Sequence, residues 1–136
     1  MSEAHRILVH NCHLDGYGHV NNARYLEFLE QARWTYFRRA GVLDELGGAR
    51  LVVAHIDIRY RHAAVLDDEL LIASRLLEVQ SRRLLVAQTV TVAQSGKTAA
   101  EAAVTLIPTR DARAFRLPET LLAALQHIRT QTTAQQ

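Results

Sequence analysis

The sequence predicts an α+β fold in which one long helix packs against a single antiparallel sheet. Two observations support this prediction. One segment has the apolar spacing of a long helix, and four segments rich in Val, Ile, Leu and Thr follow it with turn residues between them. Because a helix must bury its apolar stripe against another layer, the sheet formed by those segments is its expected partner.

The first part of the chain predicts a strand followed by a sharp turn. Residues 5–13 alternate loosely between two sets of side chains, which is the period of a strand. The stretch Asp15-Gly16-Tyr17-Gly18 then places two glycines within three residues. Glycine lets a backbone bend sharply, so we expect a tight loop here.

The next segment has the clearest helical pattern in the chain. Asn21 or Asn22 can cap its start, because a short side-chain oxygen accepts a hydrogen bond from a first-turn N–H, and Gly41 can end it. We predict a helix of about 18 residues and about 27 Å. Its apolar residues recur at offsets 0, 3, 4, 7 and 11, namely Tyr25, Phe28, Leu29, Ala32 and Tyr36.

Four further strands are predicted, which gives a sheet of about five, over residues 51–61, 69–79, 82–94 and 98–109. Turn signals at residues 67–68, 80–81 and 95–97 predict that consecutive strands run antiparallel. A short amphipathic helix is predicted over residues 118–129, with a flexible tail from about residue 130 to residue 136. One long helix cannot cover both faces of the sheet, so we expect a face or an edge to meet a second copy of the chain.

Composition and charge narrow the class of protein. The 136 residues are 49% hydrophobic and 22% charged, which is the balance of one soluble domain over residues 1–136. No apolar run approaches the roughly 18 residues of a transmembrane helix, and the N-terminus lacks the apolar core of a secretory signal. We therefore expect a cytoplasmic protein without a membrane span. The net charge is only +2 and the basic residues are dispersed, so nucleic acid is not an expected partner.

A carboxylate precedes the long helix by a short loop. Asp15 lies six or seven residues before the predicted N-terminus, so the loop can fold it back toward the first turn. A helix start offers unpaired N–H groups and the positive end of the helix dipole, which would stabilise an oxyanion while Asp15 attacks a carbonyl carbon or activates a water. On local composition alone, an Asx-turn or a favourable contact of Asp15 with the helix dipole is the commoner explanation.

A metal site is not predicted. Cys12 and His13 point to opposite faces of the predicted strand, so His10, Cys12 and His13 do not converge. A structural zinc site needs four converging ligands, and the remaining histidines show no paired spacing. Cys12 is also the only cysteine, so an intrachain disulfide is excluded.

The segment from His13 to Trp34, HLDGYGHVNNARYLEFLEQARW, resembles the signature of a known family. It is similar to the hotdog-fold acyl-CoA thioesterases of the 4-hydroxybenzoyl-CoA thioesterase superfamily, and most like the bacterial thioesterase III branch of long-chain acyl-CoA thioesterases. The similarity resumes at residues 56–61 and 64–66. It implies a hotdog fold, in which a curved antiparallel sheet wraps the long helix, and dimers that pair edge to edge.

The resemblance also implies roles for individual residues. Asp15 falls on the catalytic carboxylate of the superfamily, and Asn22 falls where a helix N-terminal backbone N–H polarises the thioester carbonyl. His19 lies in the active-site loop, where it could orient Asp15 or a water, or serve only as a loop hydrogen-bond donor. His13 stands where much of the wider superfamily has a second acid, and Ala63 stands where many relatives have a proline.

Glu30 is a second candidate carboxylate, because another branch of hotdog thioesterases takes its catalytic acid from the central helix. It lies about eight residues into the helix, roughly 12 Å along the axis from the first-turn donors, and is badly placed for the oxyanion site of its own protomer. An ion pair of Glu30 with Arg33 or Arg59 is the favoured interpretation.

Together these observations predict an acyl-CoA thioesterase that releases free acid and coenzyme A from medium- to long-chain fatty acyl-CoA, without a metal or redox cofactor and as a homodimer or homotetramer. We expect the acyl chain near Tyr25 and Leu29. Arg59 and Arg61 point to the same side of their strand and could receive a phosphate of coenzyme A, although a solvated sheet face is the stronger interpretation. The alternatives are an enoyl-thioester hydratase and a non-catalytic acyl-thioester-binding module of the same fold.

Overall fold

The computed structural model describes residues 4–134, in which the five predicted strands and two predicted helices follow the predicted order and a short sixth strand, which the sequence did not predict, is added before the last helix. Single 3₁₀ turns occupy Asn11–His13 and Leu43–Glu45. No helix in this range is long and apolar enough to cross a membrane. The elements are β1 (His5–Leu8), α1 (Asn22–Arg39), β2 (Arg50–Tyr60), β3 (Glu69–Gln80), β4 (Arg83–Val92), β5 (Thr98–Arg110), β6 (Arg113–Ala114) and α2 (Glu119–Ala134).

The strands form one curled antiparallel sheet in the order β1-β3-β4-β5-β2, and the short β6 pairs with the end of β5. The hairpins predicted at residues 80–81 and 95–97 are confirmed, since β3 pairs with β4 and β4 pairs with β5. The predicted α+β class is therefore confirmed. The sheet ends in β1 on one side and in the much longer β2 on the other.

The sequence predicted that the turn at Asp67 and Asp68 joins two neighbouring strands, but the strands on either side of it are not neighbours in the sheet. β2 pairs with β5, and β3 pairs with β1. After β2 the chain passes the start of α1, where the Val20 N–H donates to the Ala64 carbonyl at 2.9 Å. The Asp67 N–H then donates to the Val9 carbonyl at 3.1 Å, and the Val9 N–H donates to the Asp68 carbonyl at 2.9 Å. These bonds direct β3 along β1 instead of back along β2.

Helix α1 has the predicted length of 18 residues. It begins after Asn21, whose side chain accepts a hydrogen bond from the Ala23 N–H at 3.0 Å. It ends before Gly41, which has a left-handed φ of 77°. Arg33 is buried together with the predicted apolar stripe, Tyr25, Phe28, Leu29, Ala32 and Tyr36.

The hydrophobic core lies along α1 in two clusters. The first contains Leu29 and Ile72 beneath the N-terminal half of the helix. The second contains Phe37, Leu84 and Leu125, so it joins the C-terminal half of α1 to the sheet and to α2. Burying one such side chain stabilises the fold by about 1.5–3 kcal/mol. The helix is therefore held along its length, which fixes its N-terminal end relative to the sheet.

The predicted first strand is too long. β1 ends at Leu8, and residues 11–13 form a 3₁₀ turn. The turn closes because the His10 N–H donates to Nδ1 of His13 and the His13 N–H donates to the His10 carbonyl, both at 3.0 Å. The strand pattern continued past Leu8 in the sequence, but these local bonds take the backbone away from the sheet.

The predicted end of the C-terminal helix is also wrong. The sequence predicted a helix to residue 129 and a flexible tail after it, whereas α2 continues to Ala134. The Gln126 side chain donates to the Val79 carbonyl at 3.1 Å and ties the helix to the sheet close to the predicted break. The Thr130 hydroxyl donates to the Gln126 carbonyl at 2.9 Å, a bond within the helix that spans the break. Residues 135 and 136 of the predicted tail lie outside the described residues.

Candidate active site

A cleft of about 300 Å³ lies at the N-terminal end of α1. One side is formed by the loop before the helix and by the first turn of the helix. The other side is formed by the end of β2 and the residues after it. The cleft is lined by Asp15, His19, Val20, Asn22, Tyr25, Tyr60, Arg61, His62 and Ala63.

The loop that carries Asp15 is a tight, hydrogen-bonded turn. The Asp15 N–H donates to the His19 carbonyl at 2.8 Å, and the Gly18 N–H donates to the Asp15 carbonyl at 3.1 Å. Gly18 has a φ of 81°, a conformation that side-chain-bearing residues rarely adopt. Leu14 and Val20 form a β-bridge just outside the turn. The glycine-rich sequence thus predicted the loop correctly, and its bonds hold Asp15 at the edge of the cleft.

The two oxygens of the Asp15 carboxylate are in different environments. Oδ1 accepts hydrogen bonds from the Tyr17 N–H at 2.8 Å and from the His19 N–H at 3.2 Å. This is the Asx-turn that composition alone favoured. Oδ2 accepts no hydrogen bond from any residue in the described range, and Asp15 is only partly buried. One oxygen therefore orients the carboxylate, while the other remains available for chemistry in the cleft.

The first turn of α1 leaves one backbone donor free in a residue that lines the same cleft as Asp15. The Asn21 side chain accepts from the Ala23 N–H, and the Asn21 carbonyl accepts from the Arg24 N–H at 2.9 Å. The Asn22 N–H has no acceptor among residues 4–134. It lies at the positive end of the helix dipole, so this position favours an oxygen that carries negative charge.

Two tyrosines form the wall between the helix and β2. The Tyr60 hydroxyl donates to the Asn22 carbonyl at 3.1 Å, and the rings of Tyr25 and Tyr60 lie 5.4 Å apart. Burial raises the pKa of both phenols. The nearby Tyr60 and Asp68 raise the pKa of Tyr25 further, whereas a hydrogen bond with the Ala64 backbone acts in the opposite direction. Both phenols are thus neutral near pH 7, and Tyr60 ties the end of β2 to the first turn of α1.

Most of the predicted site residues lie together in this cleft, including Asp15, Asn22 and Tyr25. His19 lines it as well, but it holds Asp15 through its backbone N–H, and its exposed imidazole has no hydrogen bond to Asp15 in the structure. Arg61 also lines the cleft and forms an ion pair with Glu101 at 3.2 Å. Both of these side chains are about half exposed, so the pair is weak and leaves the guanidinium accessible.

Two predicted substrate residues do not line the cleft. Leu29 is completely buried in the core, where its backbone carbonyl accepts a hydrogen bond from Gln88. It belongs to the helix stripe that faces the sheet, and periodicity alone does not separate core residues from ligand contacts. Arg59 is exposed on β2 but lies outside the set of residues that line the cleft.

Sequence reasoning missed Tyr60 and His62 as cleft residues. Tyr60 reaches the helix because β2 ends beneath the first turn of α1, and that depends on pairing between distant strands. The only local signal was the position of Tyr60 between two arginines. The ion pair predicted for Glu30 is also absent from the described residues, where the guanidinium of Arg33 instead donates to Oε1 of Gln88 at 3.1 Å.

A second and larger cavity, which we call the α1–β2 groove, has a volume of about 510 Å³. It runs between the C-terminal half of α1 and the first half of β2, and it shares no lining residue with the cleft. The groove is lined by Glu30, Arg33, Trp34, Phe37, Leu43, Leu46, Ala49, Arg50, Leu51, Val52, Val53 and Leu106.

Within the described residues, no group of three or more His, Cys, Asp or Glu side chains could hold a metal ion.

Comparison with known proteins identifies the family. A sequence profile of the thioesterase-like superfamily matches residues 9–125. The chain belongs to the thioesterase-like superfamily. Over 104 residues it is 39% identical to the long-chain acyl-CoA thioesterase FadM of Escherichia coli K12, a match that covers 75% of this chain and 79% of FadM.

Solved structures of other thioesterases have the same fold as this chain. YbaW, a probable thioesterase from Escherichia coli, superposes with a TM-score of 0.79 at 34% identity, over 93% of this chain and 98% of YbaW. A thioesterase from Thermus thermophilus, crystallised with coenzyme A and Zn, gives a TM-score of 0.81 at 30% identity, over 94% of this chain and 95% of that protein. The predicted family, hotdog fold and enzyme class, a thioester hydrolase, are confirmed.

Proposed function

We propose that this thioesterase hydrolyses medium- to long-chain fatty acyl-CoA, with Asp15 as the reactive carboxylate and the Asn22 N–H as an oxyanion donor. The long-chain acyl-CoA thioesterase FadM and the coenzyme A complex of the Thermus thermophilus thioesterase support the substrate class. The observation that carries the proposal is that the open oxygen of Asp15 and the free N–H of Asn22 border the same cleft.

The proposed reaction begins with the thioester carbonyl in the cleft. Asp15 either removes a proton from a water that attacks the carbonyl carbon, or attacks that carbon itself to form an anhydride that water then opens. In both routes the carbonyl oxygen becomes negatively charged, and the Asn22 N–H stabilises it. In the first route the C–S bond then breaks to give the free acid, and in the second it breaks as the anhydride forms, before water opens the anhydride. In both routes the thiolate of coenzyme A takes up a proton. These steps transfer no electrons, so they need no redox cofactor, and we propose that the Asn22 N–H polarises the carbonyl in the role that a metal ion would otherwise have.

The cleft also offers a position for coenzyme A. Arg61 lies on its rim with an accessible guanidinium, whose planar donors match the oxygens of a phosphate. A phosphate would compete with Glu101 for these donors. We propose Arg61 as a coenzyme A contact and give Arg59 no such role, because it lies outside the cleft.

We further propose that the enzyme is a homodimer, or a tetramer of such dimers, paired through β2. This strand is an 11-residue edge with exposed apolar side chains, among them Val52, Val53 and Tyr60. Exposed edges of this length pair readily with another strand. Light scattering coupled to gel filtration should give at least twice the monomer mass for the wild type and a lower mass for Val53→Lys. A monomeric wild type would contradict the proposal.

The function is tested by incubating the protein separately with palmitoyl-CoA and with a 2-enoyl-CoA. We expect free thiol to be released from palmitoyl-CoA. Loss of the enoyl absorbance without thiol would instead indicate a hydratase, and binding of both ligands without turnover would indicate a binding module. Either of these results would contradict the proposed hydrolysis.

A further inference from the structure

Hydrogen bonds hold both of the peptide groups that flank Asn22. On the N-terminal side, the Asn21 carbonyl accepts from the Arg24 N–H at 2.9 Å. On the C-terminal side, the Ala23 N–H donates to Oδ1 of Asn21 at 3.0 Å. The Asn22 carbonyl accepts from the Tyr60 hydroxyl at 3.1 Å. Within residues 4–134 the Asn22 N–H is the one group of these two peptides without a hydrogen bond, so its direction is set by the bonds around it.

Of these bonds, the one from Tyr60 comes from outside the loop and the helix. Tyr60 is the last residue of β2, 38 residues from Asn22 in the chain, and its backbone pairs with Ala100 of β5. The N–H of the next residue, Arg61, donates to the Ala99 carbonyl at 2.8 Å. The end of β2 is therefore anchored in the sheet, and the phenol fixes the first turn of α1 relative to it.

The ring and the proton of Tyr60 suit this role. The ring centroid lies 5.4 Å from that of Tyr25, which is buried in the core, so the phenol is packed on one side. Burial raises the pKa of Tyr60, and the hydroxyl therefore remains a donor near pH 7. The hydroxyl bonds within its own chain, so the role does not require an exposed ring.

The helix does not need this hydroxyl in order to form. In an α-helix a first-turn carbonyl accepts from the N–H four residues later, and its second lone pair is open to another donor. Loss of the hydroxyl therefore leaves the helix bonds and the cap at Asn21 in place. It removes the fixed separation between the first turn and the end of β2. Catalytic groups must be held within about 0.5 Å, because a misplacement of about 1 Å can cost about 10²-fold in rate.

We propose that Tyr60 is a positioning residue, which holds the Asn22 N–H toward the thioester carbonyl through its hydrogen bond to the Asn22 carbonyl. The role rests on the proposed function, because it requires the Asn22 N–H as the oxyanion donor. Tyr60 does not touch the reacting atoms. Loss of its hydroxyl should lower kcat and leave KM unchanged, since the interaction it supports is made in the transition state.

The test is a double-mutant cycle of Tyr60→Phe and Asn22→Pro, followed as thiol release from palmitoyl-CoA. Tyr60→Phe alone should lower kcat about three- to tenfold, the range expected for one hydrogen bond, with the KM of the wild type. In the Asn22→Pro background it should change kcat by less than about twofold, because the N–H that Tyr60 positions is already absent. Equal effects in the two backgrounds would overturn the inference. A raised KM with unchanged kcat would also overturn it, because Tyr60 would then be a substrate contact.

Tyr36→Phe is the matched control. The Tyr36 hydroxyl accepts from the Leu76 N–H at 3.2 Å, so it also joins α1 to the sheet, but in the second core cluster and away from the cleft. This variant should lose stability and keep the kcat of the wild type. If it lowered kcat as much as Tyr60→Phe does, any loosening of α1 would suffice and the specific role of Tyr60 would be excluded.

Assembly provides a second control. Tyr60→Phe keeps the aromatic ring on β2, so light scattering should give the same mass as for the wild type. A lower mass would assign the loss of kcat to assembly and would overturn the positioning role.

An infrared measurement separates the positioning role from the proposed hydrolysis, because it involves no turnover. The ligand is an isotope-labelled acyl-CoA analogue in which a methylene replaces the thioester sulfur, and its carbonyl stretching frequency falls as hydrogen bonds to the oxygen strengthen. The bound frequency should be lowest in the wild type and in Tyr36→Phe, higher in Tyr60→Phe and highest in Asn22→Pro. This order in a protein that releases no thiol would contradict the hydrolysis and support the role of Tyr60. Equal frequencies in the wild type and Tyr60→Phe would overturn that role even in an active enzyme.

Discussion

The two cavities beside α1 differ in how they are built. The smaller cleft at the start of the helix is made of hydrogen-bonded loop and helix backbone, with Asp15 and Asn22 contributing an open carboxylate oxygen and a free N–H. The larger groove along the second half of the helix is apolar and contains the buried cation Arg33. The proposed hydrolysis needs a carboxylate and a backbone N–H donor at one carbonyl group, and of the two cavities the cleft is the one lined by Asp15 and by the first residue of α1. The two cavities therefore differ in what they offer a ligand: the larger groove offers apolar surface, and the smaller cleft offers a backbone hydrogen-bond donor and a carboxylate.

The largest effect should come from Asp15→Asn. The amide oxygen can still accept the N–H bonds of Tyr17 and His19, so the loop should keep its shape. The variant loses the carboxylate that we propose as base or nucleophile, a role worth about 10²–10⁴ in rate. Thiol release from palmitoyl-CoA measures the loss, and circular dichroism checks the fold. Unchanged turnover would remove Asp15 from the mechanism and leave the cleft no more reactive than the groove.

Asn22→Pro should lower the rate of thiol release by about 10²–10³, the usual effect of losing one oxyanion donor. Proline removes the backbone N–H but is well accepted at the first position of a helix. The preceding Asn21 already has the extended conformation that proline requires, with φ −60° and ψ 134°. Asn22→Ala keeps the N–H and is the matched control. Equal rates for the two variants would exclude the Asn22 N–H as the donor.

Leu29→Ala should act on stability, because Leu29 lies on the helix between the two cavities and lines neither. Truncating a completely buried leucine costs about 2–5 kcal/mol of unfolding free energy. Leu26, which is 38% exposed on the same helix, provides the control, since Leu26→Ala should change stability by no more than about 0.5 kcal/mol. Urea denaturation measures both. A Leu29→Ala protein with unchanged stability and a raised KM would instead indicate that Leu29 contacts the substrate.

The smallest effect concerns His13, which precedes the loop that carries Asp15. Burial lowers the pKa of His13 below its ordinary value of 6.5; the charges of His10 and Arg24 lower it further, and that of Glu27 raises it. The unfolded chain therefore binds the proton more readily, so the stability gained from neutral His13 is complete above pH 6.5 and declines as the pH falls below it. The free energy of unfolding should fall more between about pH 7.5 and 5.5 in the wild type than in His13→Asn. If the free energy of unfolding had the same pH dependence in the two proteins, this role of His13 would be contradicted.

The sequence predicted much of the fold because its signals are local. The helix cap at Asn21, the stripe of α1 and the glycine turn after Asp15 each depend on residues close in the chain. What it missed depends on distant pairing. Tyr60 reaches the first turn of α1 only because β2 pairs with β5, and Arg33 bonds to Gln88, 55 residues away, instead of to the nearby Glu30.

The central claim is that Asp15 and the Asn22 N–H act on the same carbonyl group. A crystal structure with an acyl-CoA analogue, in which a methylene replaces the thioester sulfur, tests it most directly. We expect the carbonyl oxygen at about 2.7–3.2 Å from the Asn22 nitrogen, with the carbonyl carbon facing Oδ2 of Asp15. A carbonyl bound away from the helix N-terminus, for example in the α1–β2 groove beside Glu30, would contradict the account.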